Sequence, residues 1–549
     1  MSLVRDNLLI LPIILPLFAV ASLLLLDTRS WRLKSVINLG TSAANLLVTV
    51  TLLGQVEEAG VGAIRVYLAS NWQAPFGIVL VADRLSVLML TLTGAVSVCA
   101  ATYAIAGWSR SGVYFHALFQ ILLMGLNGAF LTGDLFNLFV FFEVMLAASY
   151  GLQLHGSGRE RVSAGLHYIA VNLLASSLFL IGLALIYGIV GTLSMADVAA
   201  KLPLVPASDR GLLHAAFAVL SVAFLTKAAA WPLNFWLVPA YTSASAPVAA
   251  FFALMTKVGV YALLRLWTLF FASSEGPSAL FGAEALLLGG LATGACGVLG
   301  LLGSRRIGRI AGFSILVSSG TLLAALGTGS ADVIASALFY LVTATLSASA
   351  LFLLVEVLER PGLVRERPPL SNAELAADDD TNLDDDETAL VGQIMPVPLA
   401  LVGLAFIVCA LLIAGLPPLS GFLAKVALAA SLLRALGGVA SWAPPALLWC
   451  LFALLLGSGL VALISMARAG IHHFFTRSTP PRLTAAEGLP LLALLVLCGV
   501  ISARAERVLQ YTAATAGALQ TPRAYIEAVL SAPAVPNPSG PEARQEQTP

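Results

Sequence analysis

Charge is the scarcest property of this 549-residue chain. Only 11% of it is Asp, Glu, Lys or Arg, against about 25% in soluble globular proteins. The 29 basic and 29 acidic residues cancel to a formal net charge of zero, which argues against a nucleic-acid partner. Cysteine is also sparse: Cys99, Cys296, Cys409, Cys450 and Cys498 sit in apolar runs with no C-x-x-C spacing. They read as small packing residues, not as a disulfide frame or metal site. His472-His473 has no H-E-x-x-H or other ligand spacing around it, and no Gly-rich phosphate loop occurs. No metal and no cofactor are therefore expected, and ATP-driven transport by this chain is disfavoured.

What the chain has is apolar surface, with 59% hydrophobic residues and a mean hydropathy of +0.93. Crossing a bilayer core of about 30 Å takes about 20 apolar residues. About fourteen such runs can be counted: near 7–26, 34–54, 77–107, 113–132, 135–154, 164–190, 211–240, 245–271, 281–303, 308–329, 332–357, 396–434, 445–467 and 486–503. None alternates with period two, so a membrane β-barrel is excluded and an all-α polytopic membrane protein is expected. The first run lacks a small-residue cleavage site and reads as a retained helix. Lys and Arg concentrate in the loops after odd-numbered spans, which predicts those loops to be cytoplasmic and both termini to lie outside. The linker 359–394, with its run AELAADDDTNLDDDET, reads as disordered. Residues from Arg504 start as an interfacial helix and end as a disordered tail.

Lysine is the informative exception. Only five exist, and Lys227, Lys257 and Lys425 fall inside apolar segments. An ammonium at the bilayer centre costs about 2.5–3.5 kcal/mol on insertion scales, so a lysine there is a functional-site hypothesis by default. Glu143 lies near the middle of the fifth run, where a carboxylate needs a partner to stay ionised. Two long runs are interrupted: TKAAAWPLNFW by Pro232, and AGLPPLSGFLAKVAL by Pro417 and Pro418. Paired broken helices in two halves point to a transport site between repeats. The expected organisation is an N-terminal three-helix segment (1–112), a first repeat (113–271), a second repeat (281–470) interrupted by the linker, a last span (486–503) and the C-terminal segment (504–549). The two repeats are expected to be inverted five-helix units, each with a broken helix. Asp83 and Asp134 begin runs and read as helix caps. His116, His155, His167 and His214 lie near run ends and read as interfacial. Arg265 is expected to reach the interface, and the Gly290–Gly303 stripe to mark close helix packing.

The phrases LTGDLFNLFVFFEVMLAASYGLQLHG (131–156), LTKAAAWPLNFWLVPAYTSASAPVAAFFALMTKVGVYALLRL and GLPPLSGFLAKV carry a resemblance. They are similar to the D subunit of Mrp-type monovalent cation/proton antiporters, which resemble the antiporter-like subunits of respiratory complex I. The resemblance implies a proton-translocating subunit in the bacterial cell membrane, a transporter component without enzyme activity of its own, assembled with other membrane subunits. It implies that Glu143 and Lys227 form a gating pair, that Lys257 is the central lysine, and that Lys425 is the terminal one. The eleventh run departs from many relatives by lacking an internal Lys or His. Its polar groups are Thr343, Thr345, Ser347 and Ser349, so a Lys257–Lys425 link needs water. The alternative is a proton-pumping subunit of a complex I-like or hydrogenase-type oxidoreductase. A third reading, a non-transporting scaffold, leaves the insertion cost of the lysines without a reason.

Overall fold

A computed structural model of the chain describes residues 7–27, 29–60, 62–110, 112, 114–272, 276, 278–360, 397–438, 442–475 and 483–534. The expected acidic linker lies outside these from residue 361, as does the end of the tail from 535. Among the described residues, twelve helices are long and apolar enough to cross a membrane, and the helices Leu11–Leu25 (α1) and Phe115–Leu131 (α4) are shorter apolar ones. In order, the others are α2 (Trp31–Glu58), α3 (Arg84–Ala104), α5 (Leu135–Gln153), α6 (Arg159–Val190), α7 (Met195–Lys201), α8 (Ala207–Lys227), α9 (Leu237–Ser243) and α10 (Ala246–Phe270). They are followed by α11 (Ala283–Gly303), α12 (Ile307–Gly327), α13 (Ala331–Glu359), α14 (Val397–Ala414), α15 (Ser420–Leu436), α16 (Pro445–Phe475), α17 (Ala485–Ala503), α18 (Ala505–Leu519) and α19 (Pro522–Leu530).

Burial sorts them into a centre and a rim. The apolar window of α10 is 100% buried and those of α12 and α13 are 89% buried, whereas α6, α8, α11, α14, α16 and α17 bury 28–39%. A helix apolar on all sides and covered on all sides is a core helix. The outer faces of the rest carry Leu, Ile and Val, which suits lipid. Three helices therefore make the axis of the molecule.

One part of the backbone departs from the all-helical expectation. Arg65–Leu68 (β1) pairs antiparallel with Val79–Ala82 (β2), Arg65 opposite Ala82. The run expected to be helical from 77 thus begins as a strand. The physical reason is Asp83: in an extended conformation, its carboxylate accepts the Ser86 N–H at 2.9 Å and starts α3 one residue later. Asp134 caps α5 in the same way, accepting from the Asn137 N–H.

The glycine stripe packs as expected at most of its positions. A Cβ on Gly290 would meet the Ala324 nitrogen at 2.2 Å, and one on Gly297 the Val317 nitrogen at 2.7 Å, so α11 and α12 touch backbone to backbone. Gly303 has nothing within 4 Å. His472 and His473 lie in the last turn of α16. The C-terminal helices α18 and α19 fold back over helix ends: Tyr511 donates to the Arg84 carbonyl at 2.8 Å and Gln520 to that of Gly329 at 3.1 Å.

Candidate functional site

Helix α8 stops at Lys227. Its carbonyls are closed off by a turn in which Ala230 N–H reaches the Leu225 carbonyl at 2.8 Å, with Ala229 in the left-handed region at φ 54°. This is a Schellman stop, a six-to-one bond around a left-handed residue. Residues 228–236 then run without helix as far as α9. They are held by Trp231 N–H donating to Thr293 Oγ1 at 2.8 Å and by Asn234 on Cys296 of α11. Lys227 is 5% exposed, and its Nζ has no hydrogen-bond partner.

The second break has the same local geometry. Leu416 N–H reaches the Leu411 carbonyl at 2.9 Å around Gly415 at φ 74°. Here the lysine lies beyond the break, on α15. Lys425 is 8% exposed and turns back so that Nζ donates to the carbonyls of Ala414 at 3.1 Å and Ile413 at 3.3 Å. A cation on the last carbonyls of a helix meets both the unpaired acceptors and the negative end of the helix dipole.

Lys257 sits between them on α10, 1% exposed. Its Nζ donates to Ser318 Oγ of α12 at 2.5 Å, with Ser319 Oγ at 3.5 Å. Gly259, two residues on, explains how α8 comes so close: a Cβ there would meet the Ala228 nitrogen and the Phe224 carbonyl, both at 2.7 Å. The broken end of α8 therefore presses on the helix that carries Lys257.

On the other side of Ser318 lies a cavity lined by Ser314, Ser318, Tyr340, Thr343, Ser347 and Lys425, among others. The volume open to water centres is about 30 Å³, where one water needs roughly 10–15 Å³. Thr343 and Ser347 give their protons to their own helix, to Tyr340 and Ala344 carbonyls at 3.1 Å, and keep lone pairs for a guest. Of the four polar groups expected in the eleventh run, these two face the cavity. Thr345 and Ser349 are bonded elsewhere, to Leu341 and Ala250 carbonyls.

The structure also places Glu143, Arg265 and His116. Glu143 is half-buried, and its carboxylate accepts the Ser176 hydroxyl of α6 instead of touching Lys227. Glu143 does act electrostatically on Lys227, but Nζ remains unbonded, because the carboxylate is held toward α6 and the lysine ends α8. Arg265 is 5% exposed and grips Asp83 through two nitrogens at 2.5 and 2.6 Å, with Tyr261 and Tyr525 rings beside it. His116, the second residue of α4, is 2% exposed.

Some groups escape sequence reasoning. Ser318 and Tyr340 carry no charge to mark them. Glu356 of α13 accepts from Trp108 at 2.8 and 2.9 Å and from the Ala246 N–H at 3.2 Å, so it caps the helix that bears Lys257 from a distant part of the chain. A carboxylate late in an apolar run is the available signal, and its position near the run's end makes it look interfacial.

Comparison with known proteins gives the context. Residues 132–443 match the family described as NADH:quinone oxidoreductase/Mrp antiporter, TM. The D subunit of a probable K(+)/H(+) antiporter from Rhizobium meliloti is 49% identical over 533 residues, covering 96% of this chain and 98% of that protein. The D subunit of the Na(+)/H(+) antiporter from Alkalihalophilus pseudofirmus is 35% identical over 543 residues, covering 96% and 99%. A chain in the structure of the Mrp complex from Dietzia sp. DQ12-45-1b superposes with a TM-score of 0.78 at 28% identity, covering 96% of this chain and all of that one.

Proposed function

The chain belongs to the NADH:quinone oxidoreductase/Mrp antiporter family, and on that premise we propose that it moves protons along Glu143, Lys227, Lys257 and Lys425. It is a membrane subunit of a multisubunit monovalent cation/proton antiporter, a transporter component and not an enzyme. The relatives are named for K(+) in one case and Na(+) in the other. Both cations exchange against protons, so the proton is the shared cargo.

The observation that carries this reading is the cavity that joins Ser318, the partner of Lys257, to Lys425. It offers polar lining and room for water where the eleventh run lacks an internal Lys or His. A proton leaving the Lys257 ammonium passes to a water beyond Ser318 and then to Lys425, whose ammonium is steadied by the carbonyls of a broken helix. On the input side, Glu143 sets the charge felt by Lys227, and Lys227 adjoins the helix of Lys257. The matching stops at Leu411–Leu416 and Leu225–Ala230 support two inverted repeats, at 113–271 and 281–470, within about fourteen spans. The basic loops support the cytoplasmic side already assigned to them and both termini outside.

The test is cation-driven proton movement in vesicles that hold the whole complex. Lys227→Ala abolishes it while subunit assembly is unchanged. Retained transport removes Lys227 from the mechanism.

A further inference from the structure

Helix α13 ends against its own dipole. Its final residues include Glu356 and Glu359, with no basic residue in the last turn, although the negative end of a helix favours cations. Two acids there are unfavourable for α13 itself. They are favourable only for neighbours that present the opposite end, and α13 packs along two such helices, α10 and α12.

Neither of those helices caps itself. The N-cap of α10 is Ser245, whose side chain makes no cap hydrogen bond and whose Oγ is buried without a partner. Pro247 removes one more N–H from the first turn. The N-cap of α12 is Arg306, which has no side-chain oxygen to offer. The missing acceptors come from α13. Ala246 N–H donates to Glu356 Oε2 at 3.2 Å, and Gly308 N–H donates to Glu359 Oε1, also at 3.2 Å. Gly308 packs on the same turn, where a Cβ would touch Val355 Cγ1 at 3.4 Å.

Glu356 is itself held in place. Trp108 Nε1 donates to both of its oxygens, and Arg360 Nη2 lies 4.0 Å from Oε1. The same guanidinium pairs with Glu487, which caps α17 by accepting the Thr484 N–H at 2.9 Å. The end of α13 is thus braced against the start of the last span.

The two helices anchored this way are the ones whose side chains meet at the centre of the axis. Lys257 lies about 16 Å of helix rise beyond Ala246, and Ser318 about 15 Å beyond Gly308. Near-equal lengths from one turn of α13 bring Lys257 Nζ and Ser318 Oγ to the same depth, 2.5 Å apart. A slip of one helical turn, about 5.4 Å, would part them.

We propose that Glu356 and Glu359 are positioning residues for the proton step at Lys257: the last turn of α13 clamps the N-termini of α10 and α12 and so keeps Lys257 on Ser318. The clamp rests on the proton-transport reading above. Neither acid lines the cavity of Lys425, and both act through the register of the two helices.

The test uses the assembled antiporter complex. Glu359→Ala is expected to lower proton flux in vesicles several-fold with assembly unchanged. A cryo-EM map of that variant is expected to show Lys257 Nζ beyond hydrogen-bond distance of Ser318 Oγ. Adding Arg306→Asp gives α12 a cap of its own without the tie to α13, so the melting temperature recovers while flux stays low. Recovery of both would reduce Glu359 to an ordinary helix cap and overturn the proposal, as would unchanged flux or an unmoved register. Glu359→Gln, which keeps the shape and loses the charge, takes its place in the same comparison if the alanine variant does not assemble. Glu356→Gln leaves one acceptor oxygen where two are used and is expected to lower flux by a similar factor; wild-type flux there would remove Glu356 from the clamp. Lys257→Ala run alongside separates the two claims. Flux lost there but normal in the clamp variants sinks the clamp alone, whereas flux retained there sinks the proton reading and the clamp's role with it.

Discussion

The two broken helices end in the same turn and treat their lysines in opposite ways. At the first break Lys227 stands before the stop, buried and unbonded. At the second, Lys425 stands after the stop and reaches back to the carbonyls of Ile413 and Ala414. An ammonium without a partner has nothing to hold it in place, whereas one seated on a helix C-terminus has both acceptors and a favourable dipole. The pair therefore reads as a donor-side and a receiver-side station. Lys257, on a single serine hydroxyl pair, lies between them in position and in solvation.

Breaking that contrast is the most decisive experiment. Lys227→Ala removes an unpaired charge, so flux falls to background while stability holds or rises, measured by proton flux and by thermal unfolding of the purified complex. Lys425→Ala lowers flux as well, but it strips two buried carbonyls of their donor and destabilises by about 1–3 kcal/mol. Equal stability of the two variants would erase the distinction drawn here.

Asp83→Asn gives the largest purely structural effect. It leaves Arg265 buried without its counter-ion, at a cost of about 3–5 kcal/mol. Burial by itself would raise the Asp83 carboxyl, but the Arg265 guanidinium more than offsets this and holds it below its ordinary 3.8. The folded value being lowered, the contribution is fully present above the ordinary value and is lost as pH falls through the lowered one. Melting followed between pH 7 and pH 3 should show the wild-type advantage over Asp83→Asn intact down to about pH 4.

Gly259→Ala pushes α8 away from α10 and costs about 1–3 kcal/mol, with flux reduced because Lys227 moves from the Lys257 helix. The smallest effect is expected from Ala229→Gly. It gives the first break the left-handed glycine that Gly415 supplies at the second, and it stabilises by about 1 kcal/mol or less. A fall in melting temperature would show that the two turns are not equivalent.

The comparison also shows which features can be read before the fold is known. Lysine in apolar runs announces itself through insertion cost, so Lys227, Lys257 and Lys425 are legible at once. Prolines mark both interruptions to within a few residues. The side on which each lysine falls relative to its stop is not legible, because it depends on where a Schellman turn closes. Ser318 and the cavity are hidden for a different reason: a serine in an apolar helix costs little, and only packing shows that it faces Lys257. The expectation of water beside the eleventh run comes from the lack of Lys or His there, and the cavity lies at that place. Glu143 looks like a contact of Lys227 in the sequence, because spacing along two helices says nothing of which neighbour the carboxylate chooses.

The central claim is that protons cross the middle of this subunit by way of Lys257. The most direct test is proton flux driven by a sodium or potassium gradient in vesicles holding the complete complex, with wild type compared to Lys257→Ala. Flux reduced to the level of empty vesicles, with the complex intact, is the predicted result. Flux at the wild-type rate would contradict the account.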